Sequence, residues 1–236
     1  MMRAIAGLLA LLGAVLVSAC SDNAAEDNSL SYRYRLTIEV ETPEGLRTGS
    51  SVIEVRQSMG RSTMGGFNEQ IFYKTRGEAV AVDLPDGQTL YALLRSPGGD
   101  IEWAVRVIPI LAPDAGDDIH LDDVLLLEGK HELPRTWSPR GRSDERPAYP
   151  MMVTFGDEAD PTSVTRVDPD DLAASFGEGL RLKRITAELT DDPVTTGIEE
   201  RLGWLSDYPE PSLKTGHSLK DYSLPATLRH GDFRRK

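Results

Sequence analysis

The chain predicts a single α+β domain made mainly of antiparallel β-hairpins with a few short helices. Apolar and polar residues alternate at 32–40, a second β-prone pair flanks a Pro-Asp-Gly turn at 79–94, and residues 168–177 carry a full set of helix punctuation. A chain of 236 residues can bury roughly 70% of its unfolded surface around one core, so one domain is the expected organisation. With 39% hydrophobic and 27% charged residues the composition is globular, which excludes a collagen-like, disulfide-stapled or wholly disordered protein.

In order, Tyr32, Tyr34, Leu36, Ile38 and Val40 share one face of a half-buried strand. Thr42-Pro43-Glu44-Gly45 supplies a turn, and Ser51–Arg56 returns as the second strand of a hairpin over 32–56. Ser58–Phe67 is rich in small and flexible residues and reads as a mobile loop; its backbone amides could cradle an anion, without the lysine and helix start of a P-loop. Ala79–Leu84, the turn Pro85–Gln88 and Thr89–Leu94 form the clearest hairpin. Ile101–Leu111 is apolar, with Pro109 against an uninterrupted helix. A helix is expected over about Asp118–Leu127, and Leu133–Pro150, with Pro134, Pro139, Pro147 and Pro150 among arginines, reads as a long exposed loop.

Met151–Phe155 reads as a buried strand ending in the acidic turn Gly156–Pro161. The next helix takes Asp168 as N-cap, Pro169 as first residue and Gly177 as terminator. Leu180–Leu189 alternates like a strand, and Thr196-Gly197-Ile198-Glu199 fits a capping box opening a helix with Ile198, Leu202 and Leu205 on one face. Residues 206–236 lack periodicity and read as an irregular, locally basic tail packed partly on the surface.

Formal charge is −12; without Arg3, the 26 basic residues become 25 against 38 acidic. A net negative field repels phosphate, so nucleic acid and anionic membrane surfaces are poor bulk partners. The single cysteine, Cys20, forbids an intrachain disulfide and a cysteine-cluster metal site. It follows Arg3 and fourteen residues, Ala4 to Val17, without a polar side chain, too few to span a bilayer, which takes about 20. This order of charge, apolar core and small residues is a signal peptide over 1–19; a plain secretory signal cleaved after Ala19 is the alternative to lipidation.

The string Leu16-Val17-Ser18-Ala19-Cys20 resembles the lipobox of bacterial lipoproteins. The resemblance implies cleavage before Cys20, a diacylglyceryl anchor on its thiol, and the membrane as a partner. Ser21 resembles the sorting pattern of outer-membrane lipoproteins and implies the periplasmic face of that membrane. The polar run after Cys20 makes 20–30 a flexible tether to a domain over 31–205, followed by the tail. The runs Arg76–Leu84 and Leu182–Leu202 are similar to segments of an uncharacterised proteobacterial family, which implies a bacterial source and supplies no catalytic residue.

The sequence holds no Gly-x-Ser-x-Gly elbow, His-Glu-x-x-His helix, Walker loop or dinucleotide fingerprint. Asp118, His120 and Asp122 would share a face on a strand and could hold a metal; on a helix, which the neighbouring residues favour, they would form a solvated helix start. Hydrolysis would need His120, His131, His217 or His230 as a base beside a serine. The expectation is a lipid-anchored envelope protein acting as a non-enzymatic binding or interaction module, with an envelope protein as possible partner and neither metal nor cofactor. The alternative is an envelope hydrolase with an unrecognised site.

Overall fold

The computed structural model describes residues 30–62, 68–112, 125–139, 143–206 and 211–236. Six strands form one antiparallel sheet, in the order β12 (Arg234–Arg235), β3 (Asn68–Glu78), β2 (Gly45–Ser62), β1 (Leu30–Thr42), β11 (Arg181–Leu189) and β6 (Lys130–Glu132). Four more form a second, ordered β10 (Val164–Val167), β9 (Met152–Phe155), β5 (Thr89–Ala92) and β4 (Val80–Asp83). A short ribbon pairs β7 (Thr136–Trp137) with β8 (Arg146–Pro147). With few and short helices, the molecule is a single sheet-rich domain, mixed but mostly β.

The first hairpin is longer than its alternating core. β1 and β2 stay in register from Leu30 opposite Gln57 to Thr42 opposite Gly45, leaving Pro43 and Glu44 as the loop. Thr42 stabilises that loop by donating its hydroxyl to the Gly45 carbonyl and accepting from the Glu44 amide. The second hairpin turns where the Asp-Gly step predicts, because Asp86 and Gly87 both take positive φ, 58° and 71°. Ser58–Ser62, expected to be loop, instead prolongs β2, paired to the unforeseen β3. Alternation there is weak because the pair carries polar residues on both faces.

The two sheets pack face to face. Tyr34, Leu36, Ile38 and Val40 of β1, with Ile53 and Val55 of β2, meet Val80, Val82, Leu90, Ala92 and Met152 of the four-stranded sheet in one core. At Gly49 they approach so closely that a Cβ there would lie 2.1 Å from the Ala81 carbonyl oxygen. The opposite face of the four-stranded sheet, with Tyr91, Leu93, Met151 and Val153, is covered by Ile198, Leu202, Leu205, Leu213, Leu228 and Phe233. Successive residues Leu90, Tyr91, Ala92, Leu93 and Leu94 therefore point alternately into two different cores, and all are buried.

Helix α1 (Trp103–Leu111) runs through Pro109 and packs on the first core. Pro109 has no N–H to give the Val105 carbonyl four residues back, and the Tyr32 hydroxyl donates to that oxygen at 3.2 Å. Tyr34 donates to the Ala104 carbonyl at 2.7 Å. Burial pushes both phenol groups above the ordinary tyrosine range, so they stay protonated donors.

Two helix starts differ from the expected ones. Asp168 accepts from the Asp170 amide within a turn, so helix α2 (Leu172–Phe176) is capped by Asp171, whose carboxylate accepts from the Ala174 amide. Gly177 does terminate it, at φ 104°. The Thr196 capping box does not form, and Ile198–Glu200 is a single 3-10 turn. Its start is capped from a distance: the buried Glu78 carboxylate accepts from the Gly197 and Ile198 amides at 2.8 and 3.0 Å. Burial outweighs those bonds and holds the Glu78 carboxyl above its ordinary value.

The expected helix over 118–127 lies mostly outside the described residues; Leu125 and Leu126 sit exposed in a turn. The 133–150 loop contains the β7–β8 ribbon, and both its ends turn inward, with Leu133 and Ala148 buried. The irregular 206–236 segment reaches deeper than a surface tail. Phe233 is buried against the second core, Ala79 and Leu94 donate to the Phe233 and Asp232 carbonyls, and Asp232 accepts from Arg95. The sequence hides this because one or two apolar anchors among polar residues leave no period to read.

Replacing Phe233 with Ala is expected to cost about 3–5 kcal/mol of unfolding free energy, against under about 0.5 kcal/mol for Leu219→Ala, whose side chain is 96% exposed. Urea unfolding followed by circular dichroism measures both, and equal midpoints would contradict the packing.

Candidate functional site

The candidate site is a cleft of ≈ 270 Å³ between the start of α1 and the β7–β8 ribbon, lined by Ser96, Asp100, Trp103, Arg106, Trp137 and Arg146. One wall is a loop closed on itself. The Ser96 amide donates to the Asp100 carbonyl, the Ser96 hydroxyl accepts from the Asp100 amide, and the Gly99 amide donates to the Ser96 carbonyl. Gly99 closes the turn at φ +91°, in the left-handed region.

The Asp100 carboxylate links this loop to α1. One oxygen accepts from the Glu102 amide at 2.9 Å and the other from Arg106 Nε at 3.0 Å. The Arg106 guanidinium also reaches Glu102, and Arg146 is held by Asp144 at 2.7 Å. Trp103 anchors the floor by donating its indole N–H to the Ala148 carbonyl at 2.8 Å. Across the cleft, Trp137 is only partly buried and presents an aromatic surface. Two guanidinium groups held by carboxylates beside an indole can donate hydrogen bonds to a polar ligand while stacking its apolar face. A second cleft of ≈ 350 Å³ lies near Pro97, lined by Pro150, Met152 and Val167.

The histidines singled out from sequence do not converge on this cleft. His131, on β6, contacts the Glu128 carbonyl at 2.8 Å. His230 has Ser206 Oγ at 3.1 Å from Nδ1, but Nδ1 also accepts the Ser206 backbone N–H at 3.0 Å. An amide only donates, so the lone pair a general base would use is already engaged. His217 Nδ1 lies 2.7 Å from the Lys214 carbonyl, which only accepts, so that nitrogen carries its proton and cannot take one from Ser212 Oγ, 3.1 Å away. Each serine–histidine pair closes a local turn or loop contact.

Cys20 and the Asp118–His120–Asp122 cluster lie outside the described residues. Among the described residues, no group of three or more His, Cys, Asp or Glu side chains could hold a metal ion, and no helix is long and apolar enough to cross a membrane. The Trp137 cleft was missed in the sequence. A tryptophan inside a proline- and arginine-rich loop was its only signal, since exposing an indole fully is unfavourable. Comparison with protein-family models, curated proteins and solved structures finds no match to the chain.

The His230 ring packs edge-on to Trp204, its centroid 5.3 Å away, and burial first, then the nearby Arg234, hold its pKa below the ordinary imidazole value. Acidification therefore protonates the unfolded chain first. The stability this histidine contributes is complete above the ordinary imidazole value and is lost as pH falls toward its folded value. An NMR titration of the ring protons is expected to place the His230 midpoint below that ordinary value; a raised midpoint would contradict the packing.

Proposed function

We propose that the chain is a lipid-anchored protein of the bacterial cell envelope, tethered through Cys20 on the periplasmic face of the outer membrane, whose α+β domain is a non-enzymatic binding module. The observation that carries the anchor is the order of Arg3, the apolar run Ala4–Val17 and Leu16-Val17-Ser18-Ala19-Cys20. The Trp137 cleft supports the binding role, because its charged groups are held in fixed pairs around an open aromatic surface, an arrangement suited to positioning a ligand. A ligand with a polar edge and an apolar face, or an exposed segment of an envelope protein, matches that lining.

The test uses the full chain expressed in a Gram-negative host. Cys20→Ala is expected to leave the precursor unlipidated and shift the protein from the membrane to the soluble fraction, read by mass spectrometry and fractionation. An unmodified Cys20 at the mature N-terminus of the wild-type protein would overturn the anchor.

A further inference from the structure

The polar groups around the Trp137 cleft are paired in a way that selects against a charged ligand. Arg106 donates Nε to Asp100 at 3.0 Å and reaches Glu102 through Nη2 at 3.5 Å. Arg146 donates Nε and Nη2 to a single oxygen of Asp144, at 2.9 and 2.7 Å. Two positive charges against the three negative ones of Asp100, Glu102 and Asp144 leave −1, in a chain of net charge −12. An anion entering the cleft meets a field of its own sign, and a cation has to take a carboxylate from its guanidinium and strand it. An uncharged ligand leaves both pairs intact.

The pairs still have bonds to give. Among the described residues, Nη1 of Arg106 and of Arg146 has no hydrogen-bond partner, so each remains a donor. Each carboxylate oxygen has lone pairs beyond the one its arginine uses, so each remains an acceptor. A hydroxyl can satisfy both at once, accepting from the guanidinium and donating to the carboxylate, with charge assistance on either side. A hydrocarbon or a bare aromatic ring can satisfy neither. The neighbouring cleft, lined mostly by Pro97, Pro150, Met151, Met152, Val167 and Pro169, is the better place for such a ligand.

Trp137 defines the rest. The face of an indole is negative, and it attracts the weakly positive C–H groups on the face of a saturated ring whose hydroxyls lie around its rim. At ≈ 270 Å³ the cleft falls just under the roughly 300–1,000 Å³ of ordinary small-molecule pockets, room for one ring and not for a buried chain. Neutral, rimmed by hydroxyls, with C–H groups on its face and one ring in size, the matching ligand is a pyranose.

We infer that the Trp137 cleft binds an uncharged saccharide, one pyranose ring stacked on Trp137 with its hydroxyls bridging the Arg106–Asp100 and Arg146–Asp144 pairs. This rests on the reading of the domain as a binding module and names the ligand class of that same site.

The experiment follows the indole N–H signals of Trp103, Trp137 and Trp204 by two-dimensional NMR of the full nitrogen-15-labelled chain, in a detergent without a sugar headgroup. The probes are glucose and N-acetylglucosamine, both neutral, the cationic glucosamine, the anionic glucuronate, and the β-1,4-linked tetramer of N-acetylglucosamine. A neutral ring is expected to shift Trp137 and Trp103 with a Kd on the order of 1 mM, at least about fivefold tighter than either charged ring. Trp204, packed on the second core, stays unmoved and certifies that each variant is folded. Trp137→Ala is expected to weaken binding at least about tenfold, read at Trp103, with Trp137→Tyr restoring most of it and Arg146→Gln costing severalfold. No shift with either neutral ring or the tetramer up to about 50 mM would overturn the inference, as would binding unchanged in Trp137→Ala. Tighter binding of glucuronate or glucosamine would overturn it too, leaving a binding cleft for another class of ligand. Shortening of the tetramer on incubation, read by chromatography, would overturn the non-enzymatic reading and leave the saccharide standing.

Discussion

A strand covered on both faces has no solvent side, and β5, in the middle of the four-stranded sheet, is such a strand. The two cores oblige neighbouring positions from 90 to 94 to be apolar, Tyr91 and Leu93 facing one way and Leu90, Ala92 and Leu94 the other. β1 and β2 provide one cover, and residues 198–233 provide the other. Burying both faces is what lets four short strands act as the centre of the domain.

That arrangement explains which parts of the fold were legible in sequence. β1 reads cleanly because the side chains of Tyr32, Tyr34, Leu36, Ile38 and Val40 share one covered face, a period of two. Thr89–Leu94 was legible as a strand from its Asp-Gly turn, but its unbroken apolar run also meant that a second layer had to exist, and no element was assigned to it. The layer was hard to see because it is built from anchors far apart in sequence, Ile198, Leu202, Leu213, Leu228 and Phe233, joined by irregular backbone. The same physics misled the caps. Asp168 and Thr196 are good local N-caps, but the first is spent on its own turn and the second is displaced by Glu78, 120 residues away from Ile198. Local chemistry nominates caps, and tertiary contact chooses among them.

The candidate site was less legible than the fold. Trp103 and Trp137 meet around a cleft only because the 133–150 segment folds back as a ribbon against α1, a long-range event with no local pattern. The outer charges depend on long-range pairing as well, since Glu39 and Arg184 are 145 residues apart and meet across β1 and β11. A β-bulge at Lys183 brings Lys183 and Arg184 together onto Glu39, at 3.4 and 2.8 Å, and the hydrogen bond from Arg184 foremost, then that from Lys183 and the charges of both, holds the Glu39 carboxyl below its ordinary value.

The contacts of Phe233 carry a consequence for the order in which the molecule can be made. A chain delivered from its N-terminus presents β1 to β5 early, and the first core can assemble from them and α1. The Ala79 and Leu94 amides find their acceptors only when Asp232 and Phe233 arrive. Until then the cover that Ile198, Leu202, Leu205, Leu213 and Leu228 lay over Tyr91 and Leu93 lacks its aromatic anchor Phe233, and an incompletely covered apolar sheet is a site for wrong pairing. The last few residues thus act as a closing step that separates a collapsed, association-prone intermediate from the finished domain, and a truncation of a handful of residues would trap the chain on the unfinished side.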